Sequence, residues 1–143
     1  MALKMDVAAL NRFLDEVFPE VAGEFRVDAV EEGAITLRLI VQNKHLRPGG
    51  TISGPAMFSL ADVSAYLVTL AMIGPKALAV TTNCSIDFMR KPKAGCDLIA
   101  QARLLKLGKQ LSVSDVLIYS ERDAKPVSRA SLTYALPPDH VTL

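Results

Sequence analysis

The chain has no tryptophan, two histidines and two cysteines among its 143 residues. Cys84 and Cys96 form no CxxC pair and the histidines do not cluster, so neither a zinc site nor a disulfide framework has ligands at workable spacing. The expectation is a reduced, cytoplasmic protein without a metal or other cofactor. An excess of charge of one sign is also missing, with 16 Lys and Arg against 15 Asp and Glu. No overall field would draw nucleic acid or an anionic membrane, and neither is expected as a partner. Lys4 and Asp6 interrupt the start of the chain, which then turns amphipathic, so no signal peptide is expected either.

What is present is an ordinary globular balance, 50% hydrophobic and 22% charged, too apolar for disorder and long enough to bury a core. One domain over residues 1–143 is expected. Between residues 6 and 18, Val7, Leu10, Phe13, Leu14 and Val17 recur at helical spacing behind Asp6, a suitable N-cap. Two extended runs, 24–31 and 34–41, flank a turn at Gly33 and read as a hairpin. A loop from Gln42 to Ser53 carries Pro48, Gly49 and Gly50, and loops of this length in small domains are usually functional or mobile.

Residues 54–73, GPAMFSLADVSAYLVTLAMI, are apolar on nearly every side, with Pro55 suited to the first helical turn and Gly74-Pro75 to the stop. Such a helix is about 28 Å long. Strand-like runs follow at 77–90, 97–107, 110–119 and 127–136, and their short separators favour antiparallel neighbours in sequence order. A helix hydrophobic all round must be covered all round. A curved antiparallel sheet wrapped around it is the simplest solution, giving an α+β fold with an extra N-terminal helix. A membrane span of the same length is the competing reading. Asp62 near its centre would cost about 2.5–3.5 kcal/mol there, and aromatic belts at its ends are missing.

Ser59, Asp62, Tyr66 and Thr69 follow one another at three, four and three residues and so share one stripe of this helix. For the hydroxyl residues the simplest expectation is a face at an opening of the sheet or at a dimer seam. Asp62 differs, because a carboxylate inside an apolar helix must be paired, protonated or placed at a wet cleft. It is the leading site residue. The start of the helix adds Gly54, whose backbone N–H has no helical partner and is free to stabilise an oxyanion.

The segment RPGGTISGPAMFSLADVSAY, residues 47–66, resembles the signature of PaaI-type hotdog acyl-CoA thioesterases, in which Asn-x-x-Gly-x-x-His-Gly-Gly precedes a catalytic acid on the helix. VTTNCSIDFMRKP and LLKLGKQLSVSDVLIYS resemble that family's next strand and hairpin, extending the likeness over about residues 34–136. The resemblance implies acyl thioester hydrolysis, with Asp62 as nucleophile or general base and the Gly54 N–H on the thioester carbonyl. It also implies a homodimer or dimer of dimers with sites built from both protomers. Thr81, or Thr82 if the strand register differs by one, falls where the family has a polar residue that positions water. Arg47 and Ser53 stand at the family's asparagine and histidine, and Phe88, Arg90 and Lys91 fall where acyl-CoA would be bound. Because Arg47 and Ser53 depart from the pattern, a non-catalytic acyl-CoA-binding protein is a second reading. An enoyl-CoA hydratase or dehydratase is a third, for which His45 and Asp62 are the nearby histidine and acid.

Overall fold

The computed structural model describes residues 2–138; Met1 and 139–143, the ends of the expected domain, lie outside the described residues. Asp6 caps the first helix, α1 (Val7–Glu16), by accepting from the Ala9 N–H at 2.9 Å. Leu10, Phe13 and Leu14 form its buried stripe, as their helical spacing requires. The hairpin follows as β1 (Phe25–Glu31) and β2 (Ala34–Leu39), turned at Gly33 with φ 72°, a conformation open to glycine without strain. The central helix α2 (Gly54–Ile73) occupies the predicted span. Then come β3 (Val80–Phe88), β4 (Leu98–Leu107), β5 (Leu111–Ser120) and β6 (Pro126–Ala135).

The strands form one antiparallel sheet in the order β1-β2-β4-β5-β6-β3, and it wraps α2. Leu60, Leu67, Val68 and Leu70 of the helix are fully buried against Leu37, Leu98, Ile118 and Leu132 of the sheet. The apolarity that also suits a membrane span is therefore used in the protein core, where most residues of the helix are buried.

One expectation needs correction. β3 and β4 are joined by a short connection yet are not neighbours: β4 lies between β2 and β5, and β3 pairs with β6. β4, β5 and β6 continue the sheet from β2, which leaves β3 at the edge opposite β1. The loop 42–53 is tied into the fold. A short 3-10 turn at Asn43–His45, a bridge from Leu46 to Ile52 and the Ser53 N–H on His45 O pin it at both ends.

The two edges of the sheet differ. Asn11 of α1 donates to Val27 O at 3.1 Å and accepts from Val27 N–H at 2.8 Å, where β1 shifts register. These two bonds cover part of the β1 edge. β3 has no such cover among the described residues, and most of its side chains are exposed.

Candidate active site

Asp62 lies two turns into α2, half-buried, with β3 and β6 passing over it. Its Oδ1 accepts from the Thr81 hydroxyl at 2.6 Å and from the Tyr134 phenol at 2.7 Å. The same phenol lies 2.9 Å from the Asp62 carbonyl oxygen. Thr81 and Tyr134 are opposite one another in the β3–β6 ladder, and the register shifts immediately after Thr81. This bulge turns Thr82 outward, where its hydroxyl donates to Thr133 O at 3.2 Å, so Thr81 is the threonine on the acid. Oδ2 of Asp62 receives no hydrogen bond from the described residues.

A cavity of about 440 Å³ opens on Asp62, Thr81 and Tyr134, with Phe18, Tyr66 and Leu78 among its apolar walls. A larger concavity, about 880 Å³, lies on the outer face of the sheet among Glu31, Arg103, Asp115 and Arg129. It holds none of the predicted site residues, whereas the smaller cavity holds Asp62 and Thr81. Of the stripe residues beyond Asp62, Tyr66 is buried along the cavity wall and Thr69 turns wholly inward. Tyr66 donates to Ala77 O at 2.8 Å, and Thr69 bonds Ala65 O and the buried Ser112 hydroxyl. Burial pushes the Tyr66 phenol up to about 12. Burial and the neighbouring Asp62 charge raise that of Tyr134 further, so both remain donors at any ordinary pH. Burial and the same charge also raise the Cys84 thiol, which opposes thiolate formation beside the acid.

Ser53 is the N-cap of α2 and accepts from the Ala56 N–H at 3.2 Å. Gly54 opens the helix, and its N–H has no protein acceptor among the described residues. The Phe88 ring lies over it: a methyl group added at Gly54 would meet Phe88 Cζ at 3.4 Å. Arg47, Arg90 and Lys91 are exposed, and their side chains make no hydrogen bond or ion pair with the described residues.

His45 is neither a surface residue nor a free base. It is buried, Nδ1 accepts from the Gln42 N–H at 2.9 Å, and Nε2 faces Glu24 Oε1 at 2.9 Å. An Nδ1 that accepts carries no proton, so Nε2 carries it toward the carboxylate. Both nitrogens are occupied in holding the loop, and the histidine that a hydratase would need is not available. Sequence reasoning missed Tyr134, 72 residues beyond Asp62, because no local spacing links it to the acid.

Comparison with known proteins gives the family and supports the fold. The thioesterase superfamily matches residues 49–127, from the glycine-rich loop to the start of β6. A crystal structure from Silicibacter sp. TM1040, provisionally assigned as a thioesterase, is 57% identical and superposes with a TM-score of 0.90, covering 96% of each chain. Human acyl-coenzyme A thioesterase 13 is 25% identical over 118 residues, 81% of this chain and 82% of its own length. Acyl-coenzyme A thioesterase PaaI of Escherichia coli is 33% identical over 95 residues, 66% of this chain and 65% of its own. By its matched segment and its fold, the chain belongs to the thioesterase superfamily, as a thioester hydrolase with the hotdog fold.

Proposed function

We propose that the protein hydrolyses acyl-CoA to free acid and CoA at a site assembled from two copies of the chain. The observation that carries this reading is the Asp62 carboxylate at the base of an apolar cavity, one oxygen held by two hydroxyls and the other open. The acyl group lies along the apolar wall of Phe18, Tyr66 and Leu78. Asp62 removes a proton from water as it attacks the thioester carbon, or attacks that carbon itself to form a mixed anhydride that water hydrolyses, after CoA has left, to free acid and the restored carboxylate. The carbonyl oxygen gains charge and is met by the Gly54 N–H at the positive end of α2. The C–S bond then breaks, and the CoA thiolate leaves and takes a proton.

Gly54 and Asp62 of one chain are eight residues apart, about 12 Å along a helix, whereas each must come within about 3 Å of one thioester. They therefore serve different substrates unless two chains combine. β3 runs antiparallel to α2, from Thr81 beside Asp62 to Phe88 over Gly54. A two-fold axis near the middle of β3 exchanges those ends and sets Asp62 of one copy opposite Gly54 of the other. Large apolar side chains exposed at both ends of the strand, Leu78 at 81% and Phe88 at 52%, support that pairing.

In this reading Phe88 walls the carbonyl site, Ser53 supports it from the cap, and Arg47, Arg90 and Lys91 contact the CoA phosphates. The two free cysteines fit a reducing, cytoplasmic setting. The test is release of free thiol from a panel of short, medium, long and aromatic acyl-CoAs by wild type and by Asp62→Asn. Turnover that collapses in the variant is expected. A wild-type protein that cleaves none of the panel yet is thermally stabilised by one member would replace the hydrolase reading with a binding one.

A further inference from the structure

We infer that Tyr134 is a positioning residue for hydrolysis: with Thr81 it ties down Oδ1 of Asp62 and leaves Oδ2 as the oxygen that reacts. The inference rests on the reading of Asp62 as the catalytic acid. A carboxylate on a helix has two equivalent oxygens and freedom about its side-chain bonds, so an unrestrained Asp62 would present either oxygen in a range of directions. Here two hydroxyl donors at 2.6 and 2.7 Å converge on one oxygen. O–H···O⁻ bonds this short are charge-assisted and stronger than neutral ones. An oxygen that already accepts two such bonds has its negative charge partly satisfied and is the poorer base and nucleophile of the pair. Oδ2, with no donor from the described residues, keeps its full capacity.

Tyr134 fixes more than the carboxylate oxygen. Its hydroxyl also reaches the Asp62 carbonyl oxygen at 2.9 Å, so one phenol spans the backbone and side chain of the same residue. That phenol is itself held. Its ring packs against Tyr66 at 5.9 Å between centroids, and Tyr66 is anchored on Ala77 O and flanked by Phe13 and Phe18. Tyr134 is buried, in contrast to Thr81 on the open edge strand, and β6 is an interior strand between β5 and β3. The more rigid donor thus comes from the sheet interior.

Tyr134→Phe removes the hydroxyl and keeps the ring, and it is compared with Thr81→Val, Asp62→Asn and the Tyr134→Phe/Asp62→Asn double variant. Misplacing a reacting group by about 1 Å costs up to about a hundredfold in rate, so kcat of Tyr134→Phe is expected to fall by about 10- to 100-fold with KM within about twofold. Thr81→Val, which removes the other donor to the same oxygen, shows the same split and keeps the test in hand if Tyr134→Phe does not fold. In the Asp62→Asn background, Tyr134→Phe lowers the residual rate no further. An unchanged kcat in folded Tyr134→Phe, or the same fold-loss persisting without the Asp62 carboxylate, overturns the inference while leaving the acid's role intact. Turnover that survives Asp62→Asn overturns both.

Discussion

A mixed dimer tests the shared site most directly. Asp62→Asn removes the acid from one subunit, and Gly54→Pro removes the N–H from the other. The second change is compatible with the local backbone, because Ser53 already has φ −76° and ψ 156°, the extended conformation adopted before a proline. The lost N–H belongs to the first helical turn and bonds no carbonyl of the helix. A proline followed by Pro55 strains the helical conformation at position 54, so melting temperatures are compared first. Loss of one oxyanion donor costs about 10²–10³ in kcat, so the Gly54→Pro homodimer is nearly silent, as is Asp62→Asn. If Gly54 of one chain works with Asp62 of the other, a dimer of the two variants has one intact site and one doubly broken site. Purified with a different tag on each subunit, it recovers about half the wild-type thiol-release rate per dimer. A folded mixed dimer as silent as its parents would refute the reasoning, since it would mean that each site lies within one chain despite the separation of about 12 Å along α2.

Thr69→Val deprives the buried Ser112 hydroxyl of a partner at 2.7 Å and should cost about 1–3 kcal/mol in urea unfolding, while adding Ser112→Ala recovers most of the loss. Arg38→Met leaves Asp28, Asp97 and Glu121 facing one another without the guanidinium that bonds all three. Because those carboxylates still reach water, the expected loss is about 2 kcal/mol, less than for a fully buried pair. Burial works to raise the pKa of Glu24, but His45 and Lys44 outweigh it and hold the group below its ordinary 4.5. Its contribution to stability is therefore complete above pH 4.5 and is lost as pH falls through the lowered folded value. Urea midpoints measured down to about pH 3 should fall more steeply for wild type than for Glu24→Gln.

Periodicity made the helices and strands legible because each depends on neighbours in the chain. Residues 54–73 read as a helix because a mostly apolar run of this length, with Pro55 at its start and Gly74 at its end, is too long for one strand. Strand order was not legible: the 91–95 separator is short enough for a hairpin, and only packing in the folded sheet assigns β3 to β6. Asp62 stood out because a carboxylate in such a helix needs a reason. Thr81 was the expected threonine but Thr82 stayed open as its alternative, since the deciding feature is a bulge, and a bulge is set by the partner strand. His45 was misjudged for a similar reason. Its role depends on Glu24, which belongs to the segment before β1 and meets the loop only in the folded chain.

The same bulge links the architecture to the chemistry. Edge strands are normally protected, and β1 is partly covered by Asn11. β3 is left open, with Val80 and Met89 exposed near its two ends as well as Leu78 and Phe88. An open, apolar edge is a liability for an isolated chain and an advantage where a second copy must be placed in register. Past the bulge, Cys84, Ile86 and Phe88 alternate toward α2, while Thr81 faces Asp62 on the other side of the irregularity. Without the extra residue, Thr82 and not Thr81 would continue that alternation and face the helix. Replacing the irregular pair with a regular ladder would therefore exchange the threonine at the acid and move the Leu78–Val80 end of the edge by one position. Acid orientation and edge pairing thus depend on the same backbone irregularity, and neither can be altered there without disturbing the other.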